Sequence, residues 1–229
     1  MHDNLKEKVL EANLELVRHG LVLYTWGNVS ERDPESGHIV IKPSGVPYEQ
    51  MKPGDMVVLD ASGEKIEGDL HPSSDAPTHI YLYQHFRDIG GIVHTHSQWA
   101  TSWAQAGRNL PPYGTTHADY FYGPVPCTRP LTPEEVKGAY ESNTGKVIVE
   151  TVAEDGALKV PGILVHGHAP FTWGKDAREA VYHAVVLEEV AKMAFRTEVL
   201  GQHAPIGRHL LDKHYLRKHG KDAYYGQEK

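Results

Sequence analysis

The feature that most constrains this chain is the alternation of helical and strand periodicities along it, with strand-like runs too short and too scattered for anything but one sheet wrapped by helices. Leu5, Val9, Ala12, Leu16 and Val17 recur at helical spacing behind a candidate cap at Asp3 or Asn4, and Gly20 is placed to end that helix. From Val22 to Leu59 the pattern turns to short β-rich runs, such as 38–41 and 56–59, broken by Gly, Pro, Asn and Asp. Pro77 suits the first turn of a helix reaching about Phe86. After Gly90-Gly91 comes the β-rich run Ile92-Val93-His94-Thr95-His96, then a helix from about Ser97 to Ala106. Thr132-Pro133-Glu134-Glu135 is a helix start, and 146–152 and 162–166 read as buried strands. A long helix follows Asp176, and the basic, aromatic last twenty residues read as a short helix with an ordered tail. No repeat or linker interrupts the 229 residues, so the expectation is a single α/β domain spanning 1–229.

Several function classes fall away early. A formal charge of -7 gives no electrostatic case for nucleic acid. No segment approaches the roughly 20 apolar residues of a membrane span. The one cysteine, Cys127, excludes an intrachain disulfide and suits a reducing compartment, so a cytoplasmic location is expected. Neither G-x-G-x-x-G, G-x-x-x-x-G-K-[ST] nor G-x-S-x-G occurs, and Cys127 beside Pro126 carries no nucleophile signature. What stands out instead is histidine, at 16 residues.

His94 and His96 lie two apart in a strand-like run, so both imidazoles share a face. His166-Gly167-His168 ends another apolar strand, and Asp75 precedes the helix at Pro77. Three imidazoles with a carboxylate suit Zn²⁺. Read from the residues alone, the cluster stands open between metal ligation and a structural role. Three turns, Thr25-Trp26-Gly27-Asn28-Val29-Ser30, Lys42-Pro43-Ser44-Gly45 and Pro72-Ser73-Ser74-Asp75, offer hydroxyls and backbone N–H groups that can cradle phosphate, with Lys42 supplying charge. Such residues are also ordinary turn formers. Ser73 and Ser74 adjoin Asp75, so one loop can hold both ends of a phosphorylated substrate.

Taken in order, Trp26 to Ser30, Lys42 to Gly45, Pro72 to Asp75, His94-Thr95-His96, and His168 through Trp173-Gly174 resemble the class II aldolase/adducin-head family. The stretch Gly114-Thr115-Thr116-His117-Ala118-Asp119-Tyr120-Phe121 and the tail from Asp212 to Gly220, with Ala223-Tyr224-Tyr225-Gly226, bring it closest to the L-ribulose-5-phosphate 4-epimerase branch. The resemblance implies an αβα sandwich of the nine-stranded type around a mostly antiparallel sheet, assembled as a C4 homotetramer with active sites between subunits. It implies zinc on His94, His96 and His168, with Asp75 close to or on the metal and His166 a neighbour. It implies phosphate held by Gly27, Asn28, Ser44, Gly45, Ser73 and Ser74 with Lys42 nearby. Asp119 and Tyr225 match an acid/base pair delivered from an adjacent subunit, and Thr115 and His214 line that site. The implied reaction is zinc-dependent 4-epimerisation of a pentulose 5-phosphate, L-ribulose 5-phosphate to D-xylulose 5-phosphate. Three alternatives stand beside it. One is an epimerase linked to L-xylulose 5-phosphate in ascorbate breakdown; another is a class II sugar-phosphate aldolase, disfavoured because a glutamate holds the place of Asp75 there. The third is a non-catalytic module, which would show eroded metal ligands.

Overall fold

A computed structural model describes residues 2–152, 156–201 and 203–225. Seven strands form one antiparallel sheet: β1 (Gly27–Arg32), β2 (Ile39–Ile41), β3 (Val57–Leu59), β4 (Lys65–Glu67), β5 (Gly91–Thr95), β6 (Gly162–Leu164) and β7 (Pro170–Gly174), in the order β4-β3-β2-β1-β5-β7-β6. The β-branched runs become strands because alternate residues bury on opposite faces. Ile39, Ile41, Val57, Leu59 and Ile92 pack under α2 (Ala76–His85) and α6 (Tyr140–Thr151). Val40, Val58 and Val93 pack under α1 (Asp3–Arg18) and α7 (Ala177–Leu200). A third cluster joins α7 to α3 (Gln98–Gln105). The expected αβα sandwich is therefore present.

Three expectations need correction. The strand count among the described residues is seven, not nine; the pairings Leu110–Val125 and Cys127–Leu164 are single bridges, too short to make strands. Residues 146–151, expected as strand, belong to helix α6. The β-branched run misleads because Thr144, Gly145, Val147 and Ile148 form a buried stripe at helical spacing. Gly145 lets α6 lie close on α2, where a Cβ would come 2.7 Å from Tyr81 Cβ. Neither Asp3 nor Asn4 caps α1: Asp3 is its first residue, and the cap position falls to His2, which makes no capping hydrogen bond. The other end is as expected, with Leu21 N–H donating to the Leu16 carbonyl at 2.9 Å across the left-handed Gly20 (φ 65°).

Sequence-level caps hold elsewhere. Thr132 and Glu135 form a reciprocal capping box at α5 (Pro133–Lys137). Asp176 accepts from the Glu179 N–H at 2.8 Å to start α7. The tail makes α8 (Arg208–His219), and the Tyr224 and Tyr225 amides both return to the Arg217 carbonyl. Gly226, part of the tail motif, lies outside the described residues. No helix among the described residues is long and apolar enough to cross a membrane.

Candidate active site

The centre of the sheet fixes the site. In the β1–β5 register Asn28 faces His94, and across β5–β7 His94 faces Phe171. The His94 ring stacks on Phe171 at 4.2 Å, and its Nδ1 lies 3.0 Å from the Pro170 carbonyl. Since a carbonyl only accepts, Nδ1 carries the proton and Nε2 presents a lone pair. That Nε2 is 3.2 Å from Nε2 of His96, which follows β5 directly. His168 arrives from the turn after β6, where Val165 N–H donates to Ala169 O, and its ring centroid is 4.9 Å from that of His94 and 5.0 Å from that of His96. One ligating atom from each of the three lies within 4.8 Å of the others. Burial pushes the His94 imidazole down to about 3, and partial desolvation at the mouth of the cleft lowers His96 and His168 as well.

This arrangement fits a divalent cation. Three neutral imidazoles converge, and Nδ1 of His168 is buried with no hydrogen-bond partner. His166 is a neighbour only: its N–H donates to Thr128 Oγ1, and its ring packs over Gly107 at the end of α3.

Asp75, expected as a fourth ligand, is not in the three-atom cluster. Its Oδ2 is turned to the Asn28 amide, which donates at 2.7 Å. Burial raises the Asp75 carboxyl, the Asn28 hydrogen bond lowers it, and the group is held below the ordinary range.

The two hydroxyl-rich turns are zipped together beside the histidines. Ser44 N–H donates to His71 O, Ser73 N–H donates to Lys42 O, and Pro43 bridges Pro72. Lys42 is 2 % exposed; its Nζ donates to the Pro43 and Val46 carbonyls at 3.1 and 3.2 Å and lies 5.0 Å over the Tyr48 ring. Burial lowers its ammonium from 10.5 to about 8. Gly27, Asn28, Lys42, Ser44, Gly45, Ser73, Ser74, Asp75 and the three histidines line one cleft of about 530 Å³.

Two further lining residues, Tyr140 and Glu141, escape the sequence reading. They open α6, the element read as a strand, and only as a helical first turn do they reach the cleft; no local motif marks them. Trp26 and Thr25 also line it; of the stretch 25–30 expected as a turn, 27–30 is instead strand β1, paired with β5 and at Ser30 with β2.

The remaining expected residues gather elsewhere. Thr115 opens α4 (Thr115–Ala118), and Asp119 ends it. Asp119 Oδ1 lies 3.0 Å from His214 Nδ1; Arg217 Nη2 donates to both carboxylate oxygens at 3.0 Å, and Lys218 Nζ is 3.6 Å away. Burial raises the Asp119 carboxyl, yet these partners hold it below the ordinary range. Tyr225 is 60 % exposed, with Lys218 Nζ 4.3 Å from its ring centroid. None of Thr115, Asp119, His214 and Tyr225 lines the chain's own cleft.

Residues 7–195 match the family model described as Class II Aldolase and Adducin N-terminal domain. Two relatives named L-ribulose-5-phosphate 4-epimerase UlaF, from Salmonella paratyphi C (strain RKS4594) and Salmonella choleraesuis (strain SC-B67), are each 58% identical over 225 residues, covering 98% of this chain and 99% of theirs. Among solved structures, an L-fuculose 1-phosphate aldolase matches with a TM-score of 0.78 and 24% identity over 92% of this chain and 94% of its own. YgbL from Escherichia coli, titled a putative aldolase/epimerase/decarboxylase, matches at 0.73 and 22% over 93% and 98%.

Proposed function

The chain belongs to the class II aldolase and adducin N-terminal domain family, and from that premise we propose that it is a zinc-dependent epimerase inverting C4 of a pentulose 5-phosphate, L-ribulose 5-phosphate to D-xylulose 5-phosphate, by breaking and remaking the C3–C4 bond. The family and the two epimerase relatives support sugar-phosphate epimerase or aldolase chemistry. The observation that carries the finer reading is one cleft holding both a three-imidazole cluster and two zipped hydroxyl-rich turns.

The substrate explains why both halves are needed. The hydrogen on C3 neighbours the carbonyl and is acidic, whereas that on C4 is not, so proton abstraction cannot invert C4. Cleaving C3–C4 does: the C4 hydroxyl loses its proton and becomes an aldehyde, while the bonding electrons pass to the carbonyl fragment. A zinc ion held by His94, His96 and His168 would supply Lewis acidity toward the oxygens of that fragment. The Lys42–Gly45 and Pro72–Asp75 turns keep the aldehyde half by its phosphate while it turns and presents its other face. The Asn28 amide holds the Asp75 carboxylate beside the histidines.

Two proton-transfer groups on opposite faces are required, one for each epimer. Asp119 and Tyr225 take these roles, with His214 orienting Asp119. That neither lines the chain's own cleft supports delivery to the site of a neighbouring subunit, in a homotetramer. Free sugar phosphates and a single thiol suit a cytoplasmic enzyme.

The test is to incubate the zinc-loaded protein with several ketopentose 5-phosphates and follow configuration at C4. Inversion without accumulating glycolaldehyde phosphate is expected. Free aldehyde as the main product would make the protein a lyase, and full activity after exhaustive chelation would remove zinc from the reading.

A further inference from the structure

His94 and His96 are held in different ways. His94 sits inside β5 and has its own orienting bond to Pro170 O. His96 lies one residue past the strand, is exposed, and its ring makes no hydrogen bond to any orienting group among the described residues. Its position therefore depends on the backbone between β5 and α3.

That backbone is anchored from outside. The first amides of a helix have no intrahelical partner, and a residue at the cap position normally satisfies one of them. Ser97 holds the cap position of α3 and makes no such bond. Instead Glu188, from the middle of α7, accepts from the Trp99 N–H at 2.8 Å with one carboxylate oxygen and from the Ala100 N–H at 2.9 Å with the other. The residue is 9 % exposed, and among the described residues no cation pairs with it. A buried carboxylate is costly unless fully engaged. Here its partners are the two amides, and the positive end of α3 favours it.

We propose that Glu188 is the positioning residue for His96: by clamping the first turn of α3 to α7 it fixes the loop that carries the imidazole, and so sets the affinity of the three-histidine cluster for its metal. The proposal rests on the metal reading of that cluster and not on which sugar is turned over. A second tie between the same helices provides the control. Trp103 Nε1 donates to the Ala191 carbonyl at 3.1 Å, further along α3 and away from His96.

Glu188→Gln, Glu188→Ala and Trp103→Phe proteins would be compared with the wild type by zinc titration against a competing chelator, and by thermal unfolding of the metal-free chain. Loss of a partner bonded directly to a metal ligand typically weakens metal binding about 10–100-fold; Glu188 acts one step further out, through the backbone, and Glu188→Ala is expected at the low end, about tenfold. Glu188→Gln keeps one acceptor oxygen and should fall by less. Trp103→Phe should lower the unfolding temperature while leaving zinc affinity within about twofold of wild type. If the alanine variant fails to fold, the glutamine variant carries the comparison. Wild-type affinity in folded Glu188→Gln overturns the proposal, and so does an equal loss in Trp103→Phe, which would mean general loosening. A wild-type chain that binds no zinc removes the metal reading itself and the proposal with it.

Discussion

Replacing Lys42 with methionine should change the pH dependence of stability in a calculable way. The amine is buried, and the groups it touches are two carbonyls and an aromatic face. Desolvation lowers it from 10.5 to about 8, which corresponds to about 3 kcal/mol of penalty on the charged form. Between these two pH values the unfolded chain still holds a proton that the folded chain has released, so wild-type stability rises with pH relative to the variant. At pH 7 the full penalty applies, and it is gone above pH 10.5. Methionine removes the charge at similar length but forfeits two hydrogen bonds worth about 1 kcal/mol each. Lys42→Met should therefore be more stable than wild type by about 1 kcal/mol at pH 7 and less stable by about 2 kcal/mol at pH 10.5. Urea denaturation of both proteins across that range reads the difference and cancels the titration of all other groups. Parallel curves would refute the reasoning, because they would mean that the ammonium is not desolvated in the folded chain.

His96→Asn should leave a folded chain that has lost bound zinc and more activity than the ~100-fold that marks loss of an outer-shell partner; metal analysis and a rate assay check it. Tyr225→Phe should lower kcat by about 10²–10⁴-fold with little change in KM, and a wild-type rate would remove the phenol from the mechanism. Mixing these two inactive proteins under conditions that exchange subunits should restore about a quarter of wild-type activity, the share of sites with an intact metal half beside an intact tyrosine; no recovery in mixed oligomers would show that each chain supplies its own acid and base. Gly91→Ala puts a methyl group into the backbone of Asp176 and Ala177 where β5 passes the start of α7, and a stability loss of about 3 kcal/mol or more is expected in urea denaturation.

Local chemistry explains what the sequence reveals and what it hides. The sheet is legible because Ile39-Val40-Ile41 and Val57-Val58-Leu59 bury both faces, which leaves only β-branched and aliphatic residues. The Val147-Ile148-Val149 core of 146–151 looks alike, but Lys146 and Glu150 flank it, and the buried stripe Thr144, Gly145, Val147 and Ile148 packs as a helix, with Gly145 close on Tyr81 of α2. The turns at 42–45 and 72–75 announce themselves separately, but their pairing through Ser44 and His71 is a long-range fact. Glu188 is harder still. Helical spacing places it on the buried stripe of α7 between Ala184 and Ala191, but its partners are the amides of an element about ninety residues away.

The cost of the fold is concentrated where the ligands would bind. Among the described residues, the buried side-chain polar atoms without a partner are Asn28 Oδ1, His79 Nε2, Thr101 Oγ1 and His168 Nδ1. Asn28 and His168 line the cleft, and His79 lies one turn beyond Asp75 on α2, where burial keeps its imidazole neutral. Lys42 adds a desolvated ammonium to the same rim. A fold selected for stability alone would have filled these positions with apolar groups or supplied partners. The unmet demands are complementary in kind: lone pairs and a carboxylate on one side of the cleft suit a cation, and an ammonium beside hydroxyls on the other suits a phosphate. A cation would answer the first side and a sugar phosphate the second, so each ligand meets a demand that the other leaves unmet.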